Sequence, residues 1–281
     1  MNLHSEKKSV ATKKGSIVYF AAGPKDAPRT AMLLHGLSSN HTTWLNFMER
    51  FAAENIRTIV PDLRGHGFSD QSKKRSWYDF SVFADDLAAI AEQEQLSAFD
   101  LTGYSFGGYV AITYAAAHPE KLRSLALVSA NFMNPLRYGR FSPIAPAAAA
   151  FVDSLAWLTY PQWLKNYPYF EHGKSTGYLD STLKGLITMP LSVNFWMLAR
   201  TLRLDLSDAL PRIACPTLII RSTSDPYLTE REVKDMARRI ERARAITIES
   251  DSHYLASRDQ DELARELLPF IADPASFIQR P

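Results

Sequence analysis

The chain of 281 residues has a single cysteine, Cys215, so a disulfide within it is excluded. Cys215 precedes Pro216 in an apolar run and reads as a small core residue rather than a reactive thiol. No stretch approaches the ~20 consecutive apolar residues that a membrane helix needs, so no membrane insertion is expected. The first 14 residues are polar and charged and lack the apolar core of a secretory signal, which makes the cytoplasm the expected location. A dominant charge is missing too: 32 Lys and Arg oppose 30 Asp and Glu, a formal +2. The basic residues stand in short groups such as Lys7-Lys8, Lys13-Lys14 and Lys73-Lys74-Arg75, with no long stripe interleaved with aromatics. Nucleic acid is therefore not an expected partner. No internal repeat is present. What the chain has in quantity is hydrophobic residues, at 46%, enough for a sizeable core in one large α/β domain or a domain with an inserted subdomain.

Those residues fall in a regular order. Ile17–Phe20, Ala31–Leu34, Arg57–Val60, Phe99–Tyr104, Leu125–Val128, Leu218–Ile220 and Ala245–Ile248 predict strands. Between them lie helical patterns. Trp44, Phe47, Met48 and Phe51 share one helix face, as do Phe80, Phe83, Leu87 and Ile90. Thr229-x-x-Glu232 forms a capping box ahead of Val233, Met236 and Ile240. A final helix starting near Asp259 carries Leu263, Leu267 and Ile271. Apolar strands alternating with amphipathic helices imply a mostly parallel sheet covered on both faces. Residues 134–207 break the alternation. They hold no strand-like run, many prolines, and a dense aromatic set that includes Trp157, Trp163 and Trp196.

The chemistry centres on Gly103-Tyr104-Ser105-Phe106-Gly107, which lies between a predicted strand and a predicted helix. A Gly-x-Ser-x-Gly turn holds its serine in a strained backbone conformation with the hydroxyl exposed at the sheet edge, and the two glycines avoid Cβ clashes where strand and helix pass closely. The N–H of Phe106, at the helix start, then faces any oxyanion developing at a bound carbonyl. This stretch resembles the nucleophile elbow of the α/β-hydrolase superfamily. His35-Gly36-Leu37-Ser38-Ser39 and Asp62-Leu63-Arg64-Gly65-His66-Gly67-Phe68-Ser69 extend the resemblance, which runs from about residue 16 to 272. It implies an eight-stranded, mostly parallel sheet with helices on both faces. It also implies a core domain of residues 1–133 and 208–281 interrupted by a helical cap at 134–207. In the family the residue after His-Gly supplies the second oxyanion N–H, here Leu37. Ser38 and Ser39 either face the substrate or tie the loop. His35 reads as a structural histidine, and the Asp62–Ser69 loop as held by side-chain to backbone bonds rather than as a metal site.

A serine hydroxyl needs a base within hydrogen-bond reach and a third group to orient that base. The family order of serine, acid, histidine points to His253, between the last strand and the last helix, as the base. The acid is expected after the preceding strand, where Asp225 stands 28 residues before His253. The other acid position of the family, after the sixth strand, holds Asn131, and an amide cannot stabilise an imidazolium by charge. Asp251 is too close in sequence to His253 to sit opposite its ring. The resemblance thus implies a serine hydrolase cleaving a carboxylic ester of a small to medium apolar substrate, without metal or organic cofactor. Trp157, Trp163 and Trp196, with Ser38, are the candidates to line the substrate cleft. Rival expectations are cleavage of carbon–carbon bonds in ring-fission products, lactonase or perhydrolase chemistry, and a ligand-binding receptor on the same scaffold. Dehalogenases and epoxide hydrolases of this fold carry aspartate at the nucleophile position, which Ser105 argues against.

Overall fold

A computed structural model of the chain describes residues 5–136, 142–159 and 189–279. Eight strands form one sheet: β1 (Glu6–Thr12), β2 (Gly15–Ala22), β3 (Arg29–Leu34), β4 (Ile56–Pro61), β5 (Phe99–Tyr104), β6 (Leu122–Val128), β7 (Thr217–Ser222) and β8 (Ala243–Ile248). Their spatial order is β1-β2-β4-β3-β5-β6-β7-β8. β2 is antiparallel to β1 and to β4, and every other neighbouring pair is parallel.

The continuous apolar runs are continuous because both faces of the sheet are covered. Along β3, Met32 and Leu34 enter one core cluster, while Ala31 and Leu33 enter the other. The first cluster is closed by helices α2 (Phe80–Gln93) and α3 (Phe106–Ala117), the second by α1 (Leu45–Ala53). Two further helices, α4 (Ala145–Leu158) and α5 (Leu191–Thr201), pack on one another between β6 and β7. After β7 come α6 (Glu230–Arg239), α7 (Leu255–Arg258), α8 (Gln260–Ala272) and α9 (Pro274–Gln279). α6 joins the first cluster and α8 the second. The capping box at α6 forms as the sequence predicts: Thr229 Oγ1 accepts from the N–H of Glu232, whose carboxylate accepts from the N–H of Thr229.

β1 is the strand that the sequence pattern did not mark. Its residues, Glu-Lys-Lys-Ser-Val-Ala-Thr, place only Val10 in the core. It is an edge strand, and lysines on an edge discourage pairing with other chains.

Candidate active site

Ser105 sits between the end of β5 and the first residue of α3, with φ 49° and ψ −113°. A side chain at either flanking glycine would not fit. A Cβ on Gly103 would lie 2.6 Å from the Gly107 carbonyl oxygen, and one on Gly107 would lie 2.7 Å from that of His35. The strain is held by neighbours: the N–H of Ser105 donates to Val128 O at the end of β6, 2.9 Å away.

His253 follows β8, and its Nε2 is 2.9 Å from Ser105 Oγ. Tyr104, the residue before the serine, donates its hydroxyl to the His253 carbonyl at 3.4 Å. Asp225 follows β7, with Oδ1 at 2.9 Å and Oδ2 at 2.8 Å from His253 Nδ1. Backbone N–H groups of Tyr227 and Leu228 donate to Asp225 Oδ1 at 2.9 and 3.2 Å. An ionised carboxylate only accepts, so this placement puts the imidazole proton on Nδ1. The Nε2 lone pair is then directed at the serine hydroxyl.

The remaining candidates for base and acid are placed elsewhere. His35 Nδ1 donates to Gly36 O at 2.8 Å while Nε2 accepts from the N–H of Leu63 at 2.9 Å. Burial pushes its pKa down to about 3. Asp251 is exposed, 3.5 Å from Arg258. Asn131, in the rival acid position, donates Nδ2 to Glu232 Oε1 at 2.6 Å and accepts at Oδ1 from the N–H of Phe132 at 2.8 Å. In the Asp62–Ser69 loop, Asp62 accepts from the backbone N–H and Nδ1 of His41 and from the N–H of Phe68, each within 2.9 Å. Burial would raise the Asp62 pKa, but these donors and the neighbouring histidines outweigh it and hold the carboxyl below its usual range. Among the described residues, no group of three His, Cys, Asp or Glu side chains is placed to hold a metal ion.

Ser105 and His253 open on a cleft of about 340 Å³, which Leu37, Ser38 and Phe106 also line. No described residue accepts a hydrogen bond from the N–H of Leu37 or Phe106. Ser38 has φ 58°, donates its N–H to His66 Nε2 at 3.2 Å, and accepts at Oγ from Asn194 Nδ2 of α5. It therefore both ties the loop and faces the cleft.

Two expected wall residues are elsewhere. Trp157 is exposed on α4, and Trp196 is buried with its ring stacked on Tyr78 at 6.2 Å. Trp163 lies outside the described residues. Tyr109 of α3 and Leu198 of α5 line the cleft in their stead, with Thr43 and Gln260, none of which belongs to a motif. Leu198 lies two residues past Trp196, and two residues on a helix point in different directions.

Comparison with known proteins agrees with this architecture. The alpha/beta hydrolase family model matches residues 31–266. The chain belongs to this family. The bifunctional esterase/perhydrolase DCH of Acinetobacter calcoaceticus is 27% identical over 93% of this chain and 98% of its own length. The 2-hydroxymuconate semialdehyde hydrolase of Pseudomonas sp. (strain CF600) is 32% identical, over 38% of this chain and 39% of that one. Among solved structures, the enol-lactonase from Burkholderia xenovorans LB400 superimposes on this hydrolase with a TM-score of 0.73 at 19% identity, covering 95% of this chain and 100% of that one. At that identity the likeness is one of fold.

Proposed function

We propose that this hydrolase cleaves carboxylic esters of small to medium apolar acids through an acyl-enzyme, with Ser105 as nucleophile, His253 as general base and acid, and Asp225 as the group that orients and charge-stabilises His253. The observation that carries this reading is the unbroken run from Ser105 Oγ through His253 Nε2 and Nδ1 to Asp225, with every distance between 2.8 and 2.9 Å. Ser105 attacks the ester carbonyl as its proton passes to His253, and Asp225 stabilises the imidazolium so formed. Leu37 and Phe106 offer backbone N–H groups to the oxyanion, and the start of α3 adds its positive dipole end there. His253 then protonates the departing alcohol, and water, activated by the same imidazole, releases the acid. The full-length relative named as an esterase and perhydrolase supports this class of chemistry, since peroxide in place of water would intercept the same acyl-enzyme.

In this reading, residues 1–133 and 208–281 supply every reacting group. Residues 134–207 form a cap that shapes the cleft, to which Pro135, Leu198 and Thr201 already contribute. Burst release of nitrophenol from p-nitrophenyl butyrate, with a phosphonate adding to Ser105 alone, tests the proposal. Ser105→Ala is expected to lower turnover roughly 10⁶-fold while leaving the fold intact. Labelling of another serine, or binding without a burst, would overturn it; the latter is the receptor outcome. Faster turnover of lactones or ring-fission dienoates in the same panel would move the substrate class and leave the machinery as assigned.

A further inference from the structure

His253 lines the same cleft as Ser105, yet only 7% of its surface meets solvent. Its two nitrogens are taken by Asp225 and Ser105, and three tyrosine rings pack against the imidazole between them. Tyr104 is tilted by 34° with its centroid 5.8 Å away, Tyr254 is near-perpendicular at 5.6 Å, and Tyr227 is near-perpendicular at 5.0 Å. Edge-to-face pairs at such separations are a favoured arrangement of aromatic rings. Tyr227 is the nearest of the three. At 48% it is also the most exposed, whereas Tyr104 is buried and Tyr254 half-buried.

The turn that sets the acid also sets this ring. The N–H of Tyr227 donates to Asp225 Oδ1, and the Tyr227 carbonyl accepts from Asn131 Nδ2 at 3.4 Å. One turn thus brings a carboxylate to Nδ1 of His253 and, two residues on, an aromatic ring to the side of the same imidazole. Both bonds of Tyr227 come from its backbone, so a change of its side chain leaves the donors of Asp225 in place.

The two halves of the reaction lean on this packing unequally. Before attack, Nε2 accepts from the Ser105 hydroxyl while Nδ1 donates to Asp225, so the imidazole is held at both ends. Once Ser105 carries the acyl group, its Oγ has no hydrogen to donate, and the Nε2 end is released. Deacylation starts from that state. Water gives a proton to Nε2 as its oxygen bonds to the acyl carbon, and Nε2 returns the proton to Ser105 Oγ as the bond from that oxygen to the acyl carbon breaks. We infer that Tyr227 is a positioning residue for deacylation, its ring keeping the imidazole of the acyl-enzyme aimed at the incoming water after the serine has released it. This inference rests on the ester-hydrolase reading above and assigns a residue to its second half.

Saturating p-nitrophenyl butyrate reads the two halves separately, the burst rate reporting acylation and the steady rate after it deacylation. Tyr227→Ala should slow the steady rate roughly threefold to tenfold, the range that loss of one aromatic pair gives, and the burst rate by less than about twofold. Tyr227→Phe should keep both rates, since the ring and not the hydroxyl carries the effect. Thermal melting and the burst amplitude, which counts working sites, check that each variant is folded. An equal loss in both phases, no loss in either, or a Tyr227→Phe as slow as Tyr227→Ala would overturn the inference. If the native enzyme shows its burst, any of these results leaves the ester reading standing. A native enzyme without a burst would fail that reading and take this inference with it.

Discussion

The side-chain amide of Asn194 donates to the hydroxyl of Ser38, joining α5 to the turn that carries the Leu37 N–H. Asn194 is buried, and Ser38 takes a positive φ, so the bond holds a turn that a serine adopts only under restraint. The neighbouring peptide is held as well, since His35 Nδ1 donates to the Gly36 carbonyl, whose peptide unit contains the Leu37 N–H. The donor proposed for the oxyanion thus depends on a helix inserted after β6.

Asn194→Ala should lower kcat roughly fivefold to tenfold on all esters alike, the worth of about one hydrogen bond, with KM little changed. Asn194→Asp should restore most of the rate, because its carboxylate can accept from the Ser38 hydroxyl. Steady-state kinetics on both variants distinguish this from loss of fold. A change confined to KM would mean that Asn194 shapes the binding surface and does not position the oxyanion donor.

Asp225 and Asp251 give a clean contrast. Asp225→Asn should reduce turnover by about 10⁴-fold, because His253 would lose both its tautomer and its countercharge. Asp251→Asn removes only an exposed partner of Arg258 at 3.5 Å and should change turnover by less than about twofold. If Asp251→Asn proves the more damaging change, the acid has been assigned to the wrong loop.

His66 links stability to pH. Its Nδ1 lies 3.1 Å from Arg64 O and its Nε2 accepts from Ser38, and burial pushes its pKa down to about 4. In the unfolded chain an ordinary histidine takes up a proton near pH 6.5, so the unfolded state binds more protons between those values. Stability from this site is fully present above pH 6.5 and is lost as pH falls toward 4, by about 3 kcal/mol. Denaturant titrations at pH 7.5, 6 and 4.5 should therefore show a shallower acid loss in His66→Gln than in the native protein. Equal slopes would mean that His66 is protonated in the folded state.

The turn at Ser105 and the places of His253 and Asp225 beside it were legible because each is a local pattern fixed by backbone geometry. Gly103 and Gly107 are demanded by approaches under 2.8 Å, and His253 and Asp225 each follow a readable apolar strand. β1 was not legible because an edge strand buries little, and its Lys-rich residues carry no hydrophobic period. The walls of the cleft were harder still. Aromatic content marked 134–207 as unusual, but composition does not say which way a helix turns, and so Trp196 was expected in the cleft that Leu198 lines. Asn46 and Gln260, both lining the cleft, meet only in the folded chain, 214 residues apart.

Trp196 and Leu198 should consequently fail in different ways when truncated. Trp196 is 5% exposed and packs on Tyr78, so Trp196→Ala should cost about 3–5 kcal/mol of stability. Below its melting temperature the variant should keep the native order of preference among acyl chains, since the indole does not reach the cleft. Leu198→Ala enlarges the cleft itself and should leave stability much less affected. A hydrophobic wall discriminates weakly, at about 1–3 kcal/mol per methylene, so the preference for longer over shorter acyl chains should move roughly tenfold. Kinetics across an acetate-to-octanoate series, paired with thermal melts, read both effects at once. If Trp196→Ala shifts chain-length preference while Leu198→Ala does not, the indole reaches the bound substrate, as the aromatic content of the segment implies.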